Sequence, residues 1–286
     1  MFANTLSKLW LAVVHPQVRL PADFPLSLKA SGKLYLKSLG CYIVGTFVPV
    51  LLFMALSYYA MNYNPKLSDF LFQESRFYFV LAVFSALSFL SGFGAQVFFI
   101  RRQLRKQGKT LTRVLSLDRK NFGGSTLKLI GWGVGTFVVA ALLQQGIAAV
   151  WPFQIEDKTA DLLGNMHGIS FTIMALLAVT APFFEEVIFR GFLYGSIRSA
   201  LHKKLPAADA ADYGRKVFRA DLIACFGSAL LFGLVHMNLA GLPLYVVTGM
   251  VFAEAYRRSG SLCVPIIGHF INNGLIMLLL IFAKGL

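Results

Sequence analysis

Runs of about twenty apolar residues separated by short polar or basic stretches dominate the chain, and each run is long enough to cross a ~30 Å hydrocarbon core as a helix. The first runs from about Leu39 to Tyr59, ending in Tyr58 and Tyr59 where an aromatic belt would fall, and the second from about Phe77 to Ile100. A third covers Leu127 to Val150, and its Gly131, Gly133 and Gly135 predict close helix approach. A fourth element, from about His167 to Ala200, is too long for one straight perpendicular crossing. Pro182 removes a backbone donor within it and predicts a kink just before Glu185. Further spans are predicted over Asp221–Met237, Leu242–Tyr256 and Leu262–Phe282, which makes an all-α polytopic membrane protein of about seven transmembrane helices with a buried polar site. Weak period-two alternation argues against a barrel.

Polar loops orient these spans. From Arg101 to Lys120 the chain holds eight Lys or Arg and one acid, Asp118, and His202 to Arg219 is again basic. By the positive-inside rule both loops are cytoplasmic, whereas the segment with Glu156, Asp157 and Asp161 suits the outer face. The N-terminus then lies inside. Residues 1–38 form a basic cytoplasmic segment in which Leu6, Trp10, Val13 and Val14 are spaced for an interfacial helix, with a partly ordered tail as the alternative. His202, beside Lys203, reads as a solvated surface residue.

The composition, 57% hydrophobic and 14% charged, excludes an ordinary soluble domain. The net charge of +14 is concentrated in the loops and span ends, where it orients the protein and meets anionic headgroups, so no nucleic-acid partner is implied. Cys41, Cys225 and Cys263 stand singly in apolar sequence and read as small buried hydrophobes, not thiolate ligands or disulfides. No compact apolar leader with a small-residue cleavage site opens the chain, and residues 39–286 read as one integral membrane domain.

Against this background Glu185, Glu186 and Arg190 are out of place. A charge in hydrocarbon costs about 2.5 kcal/mol or more, so these side chains must face protein or a wet cavity. Glu186 and Arg190 are four apart and meet on one helix face, which predicts a structural, self-neutralising pair. Glu185 points about 100° away. His236, His269 and Asn273 are similarly placed in apolar runs, and the last two share a helix face. About sixteen residues separate Glu185 from the basic loop and about sixteen separate that loop from His236. At ~1.5 Å per residue an antiparallel pair puts both at one depth. The four polar residues are expected to converge.

A carboxylate and a neutral imidazole sharing one water make a general base, and His269 with Asn273 can donate hydrogen bonds to a developing oxyanion. The same Glu185, His236 and His269 are also the ligand types of a catalytic zinc site with one open position, although no HExxH is present. No cofactor is the leading expectation and Zn the alternative.

These residues resemble the CAAX-protease and bacteriocin-processing family of intramembrane proteases, which contains the CAAX prenyl endopeptidases. Its EExxxR, FxxxH and HxxxN/D motifs stand here as Glu185-Glu186-Val-Ile-Phe-Arg190, Phe232-Gly-Leu-Val-His236 and His269-Phe-Ile-Asn-Asn273, within core residues 181–275. The resemblance implies that Glu185 and His236 activate water, that His269 and Asn273 stabilise the oxyanion, and that Glu186, Arg190 and Phe232 support them. It implies an endopeptidase acting on a membrane-tethered or lipidated peptide, prenylated CAAX substrates among them, in a bilayer that the short loops suggest is a bacterial inner membrane. The family also contains scaffold and bacteriocin-immunity relatives, so a non-catalytic binding role is the alternative. A transporter using Glu185 in a proton relay is a third reading, weakened by the lack of repeat symmetry between the halves.

Overall fold

The computed structural model describes residues 27–117, 125–151, 165–205 and 212–284. The expected interfacial helix near Trp10, the acidic stretch at Glu156–Asp161 and Asp118 lie outside these residues. Every described element is helical: α1 (Leu28–Tyr63), α2 (Pro65–Phe72), α3 (Glu74–Arg105), α4 (Leu111–Val114), α5 (Thr126–Val150), α6 (Gly168–Glu186), a π-helix (Val187–Tyr194), α7 (Gly195–His202), α8 (Tyr213–Val235), α9 (Leu242–Ser259) and α10 (Cys263–Lys284).

Among the described residues, six helical stretches are long and apolar enough to cross a membrane, namely Lys29–Tyr63, Arg76–Arg105, Thr126–Val150, Gly168–His202, Tyr213–Val235 and Cys263–Ala283. The protein is an integral membrane protein of the all-α class. The remaining expected span forms α9, but Glu254, Arg257 and Arg258 in its last turns set it apart from those six. Helix α1 begins at Leu28 instead of near Leu39, because hydropathy marks where lipid begins and not where a helix ends. Its extension keeps Lys29, Lys33 and Lys37 exposed at four-residue spacing while Ser31, Leu34 and Ser38 are buried.

The chain folds as two compact units. The first contains residues 1–32, 111–156 and 185–272, hence the start of α1, α4, α5, the glutamates at the end of α6, the π-helix, α7, α8, α9 and the first part of α10. Its core includes Leu129, Ala255 and Val264, with Cys263 and Ile267 packed alongside. The second contains residues 33–110, 157–184 and 273–286. Met166, Phe171 and Met277 form a core there with Tyr78, Leu81 and Met174.

Within the first unit α8 and α9 form an antiparallel hairpin whose register can be read from its contacts. Gly233 meets Tyr245, Ala229 meets Gly249, and Asp221 reaches Arg257. The short residues at Gly233, Ala229 and Gly249 let the backbones approach, since a Cβ on Gly249 would come within 2.9 Å of the Ala229 Cβ. Of Gly131, Gly133 and Gly135 in α5, only Gly133 serves close packing among the described residues: a Cβ there would lie 2.4 Å from the Ile267 Cγ2, whereas one at Gly131 or Gly135 would meet nothing within 4 Å. The expectation that all three pack is corrected by helix geometry, because Gly131 and Gly135 are one turn apart on one face and Gly133 lies on another. Helix α6 continues through Pro182, and the departure from α geometry comes after the glutamates, in the π-helix.

Candidate active site

The end of α6 and the π-helix bring the first motif together as the four-residue spacing predicts. Arg190 Nη1 lies 2.9 Å from Glu186 Oε1, and both side chains are fully buried. The guanidinium is stacked over the Phe232 ring at 4.2 Å and lies 5.5 Å from the Phe252 ring, so aromatic faces from α8 and α9 enclose it. Seven of the eight π-helix residues are buried, which is the environment such wide turns frequently occupy near functional sites.

Glu186 has a second partner. Its Oε1 accepts a hydrogen bond from His269 Nδ1 at 2.9 Å. The other nitrogen of that ring, Nε2, stands 3.7 Å from Glu185 Oε2. One imidazole on α10 therefore bridges the two consecutive glutamates. A carboxylate can only accept, so Nδ1 carries a proton and Nε2 is the ring atom left to interact with Glu185. Glu185 Oε2 is buried and, among the described residues, receives no hydrogen bond.

His236, at the end of α8, is fixed in the same way. Its Nδ1 donates to the Phe232 carbonyl at 2.8 Å, which leaves Nε2 as the lone-pair nitrogen. The Phe232 ring packs against both histidines, with centroids 4.7 Å from His236 and 5.9 Å from His269. Glu185, Glu186, Arg190 and His269 thus touch directly, and His236 joins them through Phe232. Among the described residues His236 has no direct hydrogen bond to either glutamate. Asn273 falls in the second unit, where its side-chain amide donates to the Ala178 carbonyl at 2.8 Å.

No group of three or more His, Cys, Asp or Glu side chains among the described residues is arranged to hold a metal ion, and the zinc alternative of Glu185, His236 and His269 is included in that statement. Nδ1 of His269 is committed to Glu186 and Nδ1 of His236 to a carbonyl, so Nε2 is the remaining nitrogen of each ring.

Two groups of residues escape the sequence reading. On α9, Tyr245 stacks on His236 at 4.3 Å and Phe252 packs on His269 at 4.8 Å, with Gly249 between them in sequence. Their spacing of four and then three is a helix-face signal, present in a run legible only as apolar. The second group corrects the expectation for His202. It is mostly buried, and its Nε2 lies 2.7 Å from Asp221 Oδ1. Asp221 also takes Arg198 Nε at 2.8 Å and Arg257 Nη1 at 3.3 Å, tying α7, α8 and α9. His202 and Arg198 are four apart on α7, and one buried carboxylate gathers both.

Comparison with known proteins bears on the same region. Residues 167–275 match the model of the type II CAAX prenyl endopeptidase Rce1-like family. The "putative membrane peptidase YdiL" of Bacillus subtilis (strain 168) is 29% identical over 154 residues, covering 52% of this chain and 55% of that protein. The "membrane-embedded CAAX protease MroQ" of Staphylococcus aureus (strain USA300) is 26% identical over 155 residues, covering 52% of this chain and 58% of its own. The chain spans little more than half the length of these curated relatives, and no solved structure matches it. The three motifs, the buried Glu186–Arg190 pair and the match to the type II CAAX prenyl endopeptidase Rce1-like family model coincide in one stretch, residues 167–275.

Proposed function

We propose that the protein is a membrane-embedded endopeptidase that hydrolyses a peptide bond in a membrane-tethered or lipidated substrate, prenylated CAAX-type peptides among them. The observation that supports this most directly is the Glu185 carboxylate. Its Oε2 is buried, accepts no hydrogen bond among the described residues and lies 3.7 Å from an imidazole nitrogen held in place by Glu186. A buried carboxylate oxygen without a donor is poised to accept one from water.

In this reading Glu185 and His236 Nε2 take a proton from water as its oxygen attacks the scissile carbonyl carbon. The carbonyl π pair moves to oxygen and gives a tetrahedral oxyanion. His269, in its doubly protonated form, is the donor to that oxyanion through Nε2, and Asn273 is the second donor that the motif resemblance implies. The C–N bond then breaks as the proton held by the base passes to the leaving amine, releasing a carboxylic acid and an amine. Glu186 and Arg190 hold His269 and neutralise each other. Names of bacterial relatives, together with the basic Arg101–Arg102 step, support a bacterial inner membrane with the N-terminus inside.

The test uses the full chain purified in lipid nanodiscs, offered peptides with and without an S-prenylated cysteine near the C-terminus, with and without chelator. Cleavage by the wild type and none by Glu185→Gln is expected, unchanged by chelator. Full activity of Glu185→Gln would overturn the assignment, and loss of activity on chelation, restored by zinc, would replace it with metal chemistry.

A further inference from the structure

The His236 ring is held on more sides than a packed histidine requires. The Phe232 carbonyl takes its Nδ1–H at 2.8 Å, and the Phe232 ring meets it edge-on at 4.7 Å. Tyr245 of α9 lies nearly parallel to it, with centroids 4.3 Å apart and planes 20° from each other. Two glycines make the space for Tyr245. A Cβ on Gly241 would come within 2.8 Å of Tyr245 Cε2, and one on Gly233 within 3.4 Å of Tyr245 Cβ.

The turn joining the two residues is itself fixed. Asn238 Oδ1 accepts from the Gly241 N–H at 2.9 Å, and the Ala240 carbonyl accepts from Trp151 Nε1 at 2.8 Å. Met237, directly after His236, adopts φ +53°, a left-handed conformation that a non-glycine residue holds only under constraint. The Asn238 and Trp151 contacts, the left-handed Met237 and the glycine-built slot all constrain the geometry of this one stack.

We propose that Tyr245 is a positioning residue for His236. Stacking restricts the imidazole to the orientation in which Nδ1–H meets the Phe232 carbonyl, so the lone pair at Nε2 has one direction. When Nε2 gains a proton, the electron-rich face of Tyr245 lies against the cation that forms. The catalytic consequence rests on the peptidase reading above; the conformational one does not.

The experiment separates the two. The full chain, labelled with 15N only in its five histidines, is placed in nanodiscs, and the His236 ring signals are identified by their loss in His236→Gln. Wild type and Tyr245→Phe are expected to show one neutral tautomer with the proton on Nδ1. In Tyr245→Leu the signals should average toward a tautomer mixture, and kcat on whichever peptide the wild type cleaves should fall about 10²-fold with KM unchanged. Gly241→Ala, which displaces the tyrosine without removing it, should give the same direction of change and serves if the leucine variant does not fold. Unaltered His236 signals and kcat in folded Tyr245→Leu or Gly241→Ala would overturn the proposal. A wild type that cleaves nothing, with tautomer averaging in Tyr245→Leu, would leave the positioning role standing and remove the peptidase reading.

Discussion

His269 donates its Nδ1–H to Glu186 across 2.9 Å, and the same glutamate oxygen lies 2.9 Å from Arg190. The second glutamate of the motif is therefore more than the counter-ion of the arginine. It sets which ring nitrogen of His269 faces Glu185, as an orienting carboxylate does for an imidazole in acyl-transfer sites.

That relationship separates two roles by mutation. Glu186→Gln should lower kcat/KM by about 10² or more and destabilise the fold by about 3 kcal/mol, because Arg190 is left without its charge partner. Replacing both residues, as Glu186→Leu with Arg190→Leu, should recover most of the stability but not the activity. Thermal unfolding and peptide cleavage on the same preparations check this, and recovery of activity in the double variant would show that Glu186 serves only the ion pair.

Asp221→Asn should cost about 3 kcal/mol or more. A single carboxylate gathers Arg198, Arg257 and His202 at 9% side-chain exposure, and its amide would remove the one charge they share, although Arg257 keeps Glu254. Chemical denaturation in mild detergent is the measurement, with a change under about 1 kcal/mol counting against a buried network.

The glycines of α5 should part company on substitution. Gly133→Ala places a methyl 2.4 Å from Ile267 Cγ2 and should destabilise by about 1–3 kcal/mol. Gly131→Ala and Gly135→Ala enter open space on a helix and should stabilise slightly, by up to about 1 kcal/mol. Equal effects at all three positions would contradict the packing described.

Met237→Gly should raise stability by up to about 1 kcal/mol. The side chain is 87% exposed and its φ of +53° carries a left-handed cost that glycine avoids. A lower melting temperature than the wild type would show that the methionine is held by contacts worth more than the strain.

The residues most improbable in lipid were the most legible. Glu185, Glu186, Arg190 and His269 announced themselves because ionisable groups in apolar runs need partners, and the four-residue rule found the Glu186–Arg190 pair. What the sequence reading missed was tertiary. Tyr245 and Phe252 are apolar-face residues until α9 folds back on α8, and nothing local to His202 reveals that Asp221 lies 2.7 Å away on the next long helix. The span beginning near Asp221 was read from hydropathy, which takes that carboxylate for a boundary marker, although the helix begins at Tyr213 and buries it. Three glycines in five residues signalled close packing, but only the fold says which one makes it.

The widened turns from Val187 to Tyr194 give this protein an unusual sensitivity to chain length. A π segment accommodates a residue that an ordinary helix would not, so it can be gained or lost as a unit by insertion or deletion. Removing one residue between Arg190 and Tyr194 would leave every side chain named in the three motifs in place and shift α7, with Arg198 and His202, relative to the glutamates unless the wide turns close to ordinary ones. Length in this stretch, more than identity, should therefore distinguish homologues that keep the acid–histidine arrangement from those that keep only its letters.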